Sequence, residues 1–168
     1  MTSSAPESLG WAAATGRFRF LKETSGRIDA IKAKRAAARG TPLRLLNANM
    51  ASLLENLREG GDGYCGIAAN FFPGLIVWLC RHYETHPDLA RRLHRFLTLA
   101  QEAARPKYPA SAKRHIEMEG LGITTACRSC APAFTENDLR VLGALREESK
   151  EWEGRCCSFS NSSADRSA

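Results

Sequence analysis

Residues 17–26, Arg17-Phe18-Arg19-Phe20-Leu21-Lys22-Glu23-Thr24-Ser25-Gly26, bring an amine to the end of a short apolar run, just where an acid, two hydroxyls and a glycine turn the chain. Residues 18–21 read as a strand, which puts Lys22 at its tip. A lysine amine becomes a nucleophile when its pKa falls, and burial against apolar walls lowers it by disfavouring the charged form. Phe20 and Leu21 are the residues that would supply such walls. The neutral amine can attack a ketone, lose water and leave an iminium, an electron sink for making or breaking a carbon–carbon bond. Spacing alone favours the plainer alternative, a strand-end lysine solvated in a loop.

Other residue sets carry less chemistry. The six cysteines are Cys65, Cys80, Cys127, Cys130, Cys156 and Cys157. Cys65 and Cys80 lie in apolar segments and read as small core residues. Cys127 and Cys130 form a lone CxxC, whereas a structural zinc takes four ligands, usually from two such pairs. His115 is the nearest histidine and does not complete a set. No strand-turn-helix context supports a redox role either, so neither a metal nor a cofactor is expected. The net charge of +6 is spread along helices, with local clusters at 31–39 and 90–95 and no interleaved aromatic residues. Nucleic acid is therefore not an expected partner. Residues 63–80 are uncharged and long enough to suggest a membrane span. Their glycines, Pro73 and Asn70 favour a strand, a turn and a helix instead. The first 16 residues show no basic start and no apolar run, so a cytoplasmic protein with reduced thiols is expected.

The elements that would position Lys22 follow from periodicity. At 168 residues and 43% hydrophobic content, the chain can bury one sizeable core. Strands are expected at 18–21, 43–46 and 64–69, the third buried on both faces. Helices are expected at 27–39, at 50–59 and from Pro73. Asn49 is placed to cap the second helix, and Ser52 with Glu55 has capping-box spacing. This alternation is the pattern of parallel strands joined by helical crossovers. Helices alone follow: 88–104 with Leu89, Leu93, Phe96, Leu97 and Ala100 inward, 110–119 with Ala112, Ile116 and Met118, and 136–152 capped by Thr135 with Asp138. The stretch 120–134 reads as extended. The expected organisation is a lead-in (1–16), a βα segment (17–86), a helical extension (87–152) and a disordered Ser-rich tail (153–168).

In a parallel βα sheet, functional groups gather at the C-terminal ends of the strands. Lys22, Asn47-Ala48-Asn49 and Ala68-Ala69-Asn70 occupy those places. The segment Phe20-Leu21-Lys22-Glu23-Thr24-Ser25-Gly26 resembles the Schiff-base lysine segment of the dihydrodipicolinate synthase and N-acetylneuraminate lyase family, pyruvate-dependent class I aldolases on a TIM barrel. Residues 60–73 are similar to that family's eighth-strand segment, a Gly-Val-Ile-Ser-Val-x-Ala-Asn-x-x-Pro pattern, at a spacing that fits without a gap. The resemblance covers about residues 17–148. It implies an α/β fold: a partial TIM (β/α)8 barrel, its last three βα units, followed by a C-terminal helical extension.

The resemblance implies roles position by position. Lys22 corresponds to the iminium-forming lysine. Cys65 corresponds to the residue whose backbone carbonyl faces bound pyruvate. Ala48 corresponds to a seventh-strand glycine lining the pocket, with Asn47 beside it. Asn47-Ala48-Asn49-Met50 stands where the family has Ser-Gly-Asp-Asp, so both acids are replaced and the second substrate is left open. Tyr64, Tyr83 and Tyr108 match none of the family's proton-relay positions. The implied function is a lyase or aldolase forming a Schiff base between Lys22 and pyruvate or a related 2-oxo acid, incomplete as an isolated chain. Pairing with an N-terminal half barrel or with a second copy is expected, because three βα units leave an open sheet edge. The alternative is a non-catalytic homologue that acts as a binding or assembly partner of a full-length barrel.

Overall fold

A computed structural model of the chain describes residues 6–128 and 133–164, with side chains through 158. The elements, in order, are α1 (Pro6–Ala14), β1 (Phe20–Glu23), α2 (Ile28–Ala37), β2 (Arg44–Asn47), α3 (Leu53–Arg58), a 3-10 turn (Ile67–Asn70), α4 (Pro73–His82), α5 (Pro87–Ala104), α6 (Ala110–Met118) and α7 (Glu136–Ala164). They fall into two compact units. One holds the residues up to Gly66 together with His82–His94; the other holds Ile67–Arg81 together with the residues from Arg95 onward.

The first unit is built on the parallel pair β1–β2, in the register Phe20↔Arg44, Leu21↔Leu45, Lys22↔Leu46 and Glu23↔Asn47. Side chains alternate across a strand, so Leu21 and Glu23 share one face with Leu45 and Asn47. That face is the covered one: Glu23, Leu45 and Asn47 are buried, and Leu21 and Leu45 pack with Leu9, Ala13, Ala38 and Leu43 of the flanking helices and turns. Phe20 and Lys22 stand on the other face, both exposed. Strand β1 starts and ends two residues later than the sequence reading places it, so Lys22 lies inside the strand and Glu23 ends it.

The covered face contains a buried ion pair. Lys34 Nζ of α2 donates to Glu23 Oε1 at 2.6 Å, with only 8% and 1% of the two side chains exposed. Burial acts to raise the Glu23 pKa. The Lys34 ammonium and the hydroxyl and backbone N–H of Ser25 together more than offset it, and the carboxyl is held below its ordinary 4.5. Ser25 N–H lies 3.1 Å from both carboxylate oxygens, which closes the turn after β1.

The expected third strand is reduced to a single bridge. Tyr64 pairs in parallel with Asn47. Around it, Asn47 N–H donates to Gly63 O (2.9 Å), Cys65 N–H donates to Asn47 O (2.8 Å), and the Asp62 carboxylate accepts Leu45 N–H at 2.9 Å. From Ile67 the chain coils into the 3-10 turn. Segment 62–65 therefore runs beside β2 in the expected direction. Apart from Ile67, the residues beyond it up to Ala69 are glycine and alanines of low strand propensity, and the sheet has two strands among the described residues. Gly66 is confined: a Cβ there would lie 2.5 Å from Ala48 O and 2.3 Å from the Tyr64 hydroxyl. The burial expected on both faces of this segment is not found, since Tyr64, Cys65, Gly66 and Ile67 are half-exposed.

Helix α3 is shorter than the expected 50–59 and starts at Leu53. The Ser52–Glu55 capping box does not form, because Ser52 makes no side-chain cap bond. Its hydroxyl instead accepts the Asn47 side-chain amide at 3.0 Å. A six-residue helix does not persist on local propensity; this one is held by Leu53, Leu54 and Leu57, all buried.

In the second unit, α4 buries Leu75, Ile76, Trp78 and Leu79. Phe72 packs on Phe96, and Phe96 stacks on Trp152, at centroid distances of 5.7 and 5.8 Å. His115 is a core residue there, beside the rings of Phe71 and Phe72, and its Nε2 lies 3.1 Å from Phe71 O. The Thr135 cap forms as expected: Asp138 N–H donates to Thr135 Oγ1 (3.2 Å), and Thr135 N–H and Oγ1 donate back to Asp138. The Lys107 ammonium, followed by those Thr135 donors, holds the Asp138 carboxyl down to about 2.

The expected disordered tail is corrected in part. Helix α7 runs past 152 to Ala164, because Trp152 and Cys156, one turn apart, continue the stripe of Leu142 and Ser149 and are buried. Burial pushes the Cys156 thiol up to about 11. Residues 165–168 and Cys130 of the CxxC lie outside the described residues. Residues 121–128 have neither helix nor strand, and no described helix is long and apolar enough to cross a membrane.

Two predictions follow from the first unit. Lys34→Met leaves the Glu23 carboxylate buried and unpaired, at a cost of about 3–5 kcal/mol in urea unfolding, and adding Glu23→Leu recovers most of it. The folded pKa of Glu23 lies below its unfolded value, so the pair's stabilisation is full above about pH 4.5 and is lost as pH falls through the folded pKa. Equal unfolding midpoints for Lys34→Met and the native chain would refute this. Gly66→Ala is expected to cost roughly 1–3 kcal/mol, with the amide signals of 47–49 shifted, because the new methyl meets backbone.

Candidate functional site

The parallel segments bring their C-terminal ends together through the backbone. Ala48 N–H donates to Glu23 O at 2.8 Å, which ties the end of β2 to the end of β1, and Cys65 N–H donates to Asn47 O, which ties the third segment to β2. Lys22, Ala48 and Cys65 therefore belong to one row of strand ends. A second tie joins the loops beyond. Gly26 has a φ of +68°, and a Cβ at that position would lie 2.8 Å from Asn49 Nδ2. The Lys22 loop can thus approach the β2 loop only because residue 26 has no side chain.

The structure separates the candidate residues by role. Lys22 is exposed on the open face, with no ion-pair partner among the described residues. Its strand neighbours on that face are Phe20, 66% exposed, and the paired Leu46. The expected apolar walls are corrected here: Leu21 lies on the opposite face, in the core, and cannot flank the amine. The Asn47 side chain points into the covered face. Its Oδ1 accepts Asn49 N–H at 2.8 Å and its Nδ2 donates to Ser52 Oγ at 3.0 Å. Ala48 is half-buried, and Cys65 is a half-buried free thiol.

Sequence reading missed three contributors. Glu23 reads as part of a polar turn, yet it is the buried partner of Lys34. Lys34 reads as one cation in a basic cluster, yet it is buried. His94 reads as one residue of a basic run, yet its Nε2 lies 2.8 Å from Met50 O, just beyond the β2 end. No local signal marks any of the three, because each partner is remote in sequence. The described residues of this unit line cavities on two sides. One, of about 350 Å³, lies by α2 and is lined by Lys32, Arg35, Arg39, Leu45, Glu59 and Asp62. The other, of about 200 Å³, is an apolar groove between α1 and β1 with Leu9, Phe18, Phe20 and Leu21 in its walls. Lys22 lines neither. Among the described residues, no cluster of histidine, cysteine and carboxylate side chains could hold a metal ion.

No curated protein sequence matches the chain. Among solved structures, the dihydrodipicolinate synthase of Thermotoga maritima is 25% identical at a TM-score of 0.73, over 86% of this chain and 50% of that one. The 4-hydroxy-tetrahydrodipicolinate synthase of Methylacidiphilum fumariolicum SolV is 24% identical at a TM-score of 0.74, over 90% and 51%. A prophage protein of the dihydrodipicolinic acid synthase family from E. coli K12, solved in complex with pyruvate, is 18% identical at a TM-score of 0.69, over 88% and 51%. The chain spans about half the length of each of these proteins. Its residues 13–147 match the Dihydrodipicolinate synthetase family, and the chain belongs to that family.

Proposed function

We propose that the chain is the lysine-bearing segment of a pyruvate-dependent class I aldolase or lyase, and that Lys22 forms a Schiff base with pyruvate or a related 2-oxo acid. In this reading β1, β2 and segment 62–65 are strands six to eight of a (β/α)8 barrel, the open face of Lys22 is the barrel interior, and the helices from α5 onward are the family's extension. The observation that carries the proposal is the position of Lys22: it points to the open face near the end of a parallel strand whose last residue, Glu23, bonds Ala48, beside the segment in which Cys65 bonds Asn47.

The chemistry follows from that row. The neutral Lys22 amine adds to the keto carbon of the 2-oxo acid. The carbinolamine then loses water, and the protonated imine withdraws electrons from the adjacent carbon, which gives up a proton or a carbon substituent. Glu23 takes no part as a base, because it faces the opposite side of the sheet and is committed to Lys34. The Cys65 carbonyl is the acceptor proposed to face the 2-oxo acid, a role that leaves its side chain unconstrained. Asn47 acts through its backbone and through the loop that its side chain braces. The Asn49 side chain, packed at Gly26, is a polar group proposed to face a second substrate. The resemblance gives carboxylate binding and the proton relay to residues of the family's other strands. General acid–base help contributes roughly 10²–10⁴ in rate, so turnover by this segment alone is expected to be slow. A cytoplasmic location belongs to the same proposal.

Borohydride trapping tests the reading. The chain is incubated with pyruvate, reduced, and mapped by peptide mass spectrometry. A reduced pyruvyl adduct confined to Lys22, and absent from Lys22→Arg, is the expected result. A folded chain that yields no adduct, or yields adducts spread over its exposed lysines, would show that Lys22 is not a Schiff-base residue here.

A further inference from the structure

The loop that follows β2 is held from outside the sheet by a residue with no counterpart in the chemistry above. Met50 is fully buried, and its carbonyl accepts two hydrogen bonds: Leu53 N–H at 3.0 Å, which opens the first turn of α3, and His94 Nε2–H at 2.8 Å from α5. A carbonyl oxygen has two lone pairs, and both are used here. The same loop is closed on its other side by Asn47 Oδ1, which accepts Asn49 N–H, and by Asn49 Oδ1, which accepts Ser52 N–H at 3.3 Å. Asn49 in turn packs against Gly26, at the far end of the Lys22 loop. A contiguous path of bonds and contacts therefore runs from His94 through Met50 and Asn49 to Gly26, in the loop that follows the Lys22 strand.

The protonation of His94 fits this use. Burial lowers its pKa; the Met50 carbonyl opposes that, and Arg58 adds to it, and the net result is a value below the ordinary 6.5. The ring is therefore neutral at physiological pH. A neutral imidazole facing a carbonyl carries its proton on that nitrogen, so Nε2 is the donor. We propose that His94 is a positioning residue for the β2 end of the site, fixing the Asn47–Met50 loop and with it the placement of Asn49 beside the Lys22 loop. The importance of that loop for a substrate rests on the Schiff-base reading; the ordering of the loop by His94 does not.

The test uses the full chain and two variants. His94→Leu removes the donor and keeps apolar bulk, and His94→Gln retains an N–H that can reach the same carbonyl. Hydrogen exchange of the ligand-free proteins is read residue by residue. The expected result is that amides 49–53 exchange roughly tenfold faster in His94→Leu, about the effect of one lost hydrogen bond. The amides of β1 and β2 stay unchanged, and His94→Gln restores protection. No change at 49–53, an increase of equal size throughout the unit, or failure of glutamine to rescue would each overturn the proposal. Borohydride trapping with pyruvate is run on the same samples. Absence of a Lys22 adduct in the native chain would count against the Schiff-base reading alone, because the exchange pattern is measured without substrate.

Discussion

The Glu23–Lys34 pair decides which way β1 faces. A strand of four residues has little to fix its register, and a slip of one residue would exchange its two faces. Placing Glu23 on the covered face, bonded to Lys34 and to the Ser25 N–H, makes the alternative register costly, because it would bring the Lys22 charge into the core and leave Lys34 buried without a partner. Breaking a buried pair costs more than forming it gains, so the pair acts chiefly as a constraint on geometry. Lys22 reaches the open face because the next residue is pinned to the closed one.

From that orientation the rest of the site follows by short-range bonding. Glu23 O receives the Ala48 amide, Asn47 bonds both Gly63 and Cys65, and the side chain of Asn47 braces the loop that reaches Gly26 through Asn49. Glycines stand where neighbours approach: Gly26 admits the Asn49 side chain, and Gly66 admits the Ala48 carbonyl. The polar groups of Asn47 are spent on holding the loop, and the open face carries Phe20, Lys22, Arg44 and Leu46. On the proposed reading, a 2-oxo acid at Lys22 would meet backbone polar groups and apolar side chains of this segment, with Arg44 as a second cation on the same face.

Much of this was legible in the sequence, and the remainder was illegible for physical reasons. The strand–helix alternation and the inward stripe of α5 through Leu93, Leu97 and Ala100 are local periodic signals, and they survive folding. The Thr135–Asp138 cap is equally local. Boundaries moved where long-range contacts overrode propensity: α3 lost its first turn because the loop before it is tied to Asn47 and His94, and α7 gained length because Trp152 and Cys156 are buried beyond the expected end. The third strand was overread, since an apolar run reads alike whether it pairs over its length or through a single bridge. Glu23, Lys34 and His94 gave no signal, because a charged residue that will be buried looks like any other until its partner is known. Leu21 was misread as a pocket wall for a simpler reason: adjacent strand residues face opposite ways.

The central claim, that β1 presents Lys22 outward by burying Glu23 against Lys34, is tested most directly by competitive amine acylation of the native chain with lysine-resolved mass spectrometry. Lys22 is expected to be acylated at the rate of an exposed lysine such as Lys32, while Lys34 reacts at least about tenfold more slowly, through local opening only. Equal rates for Lys22 and Lys34 in a chain shown to be folded would contradict it, because the amine assigned to the buried pair would then be as accessible as the one assigned to the open face.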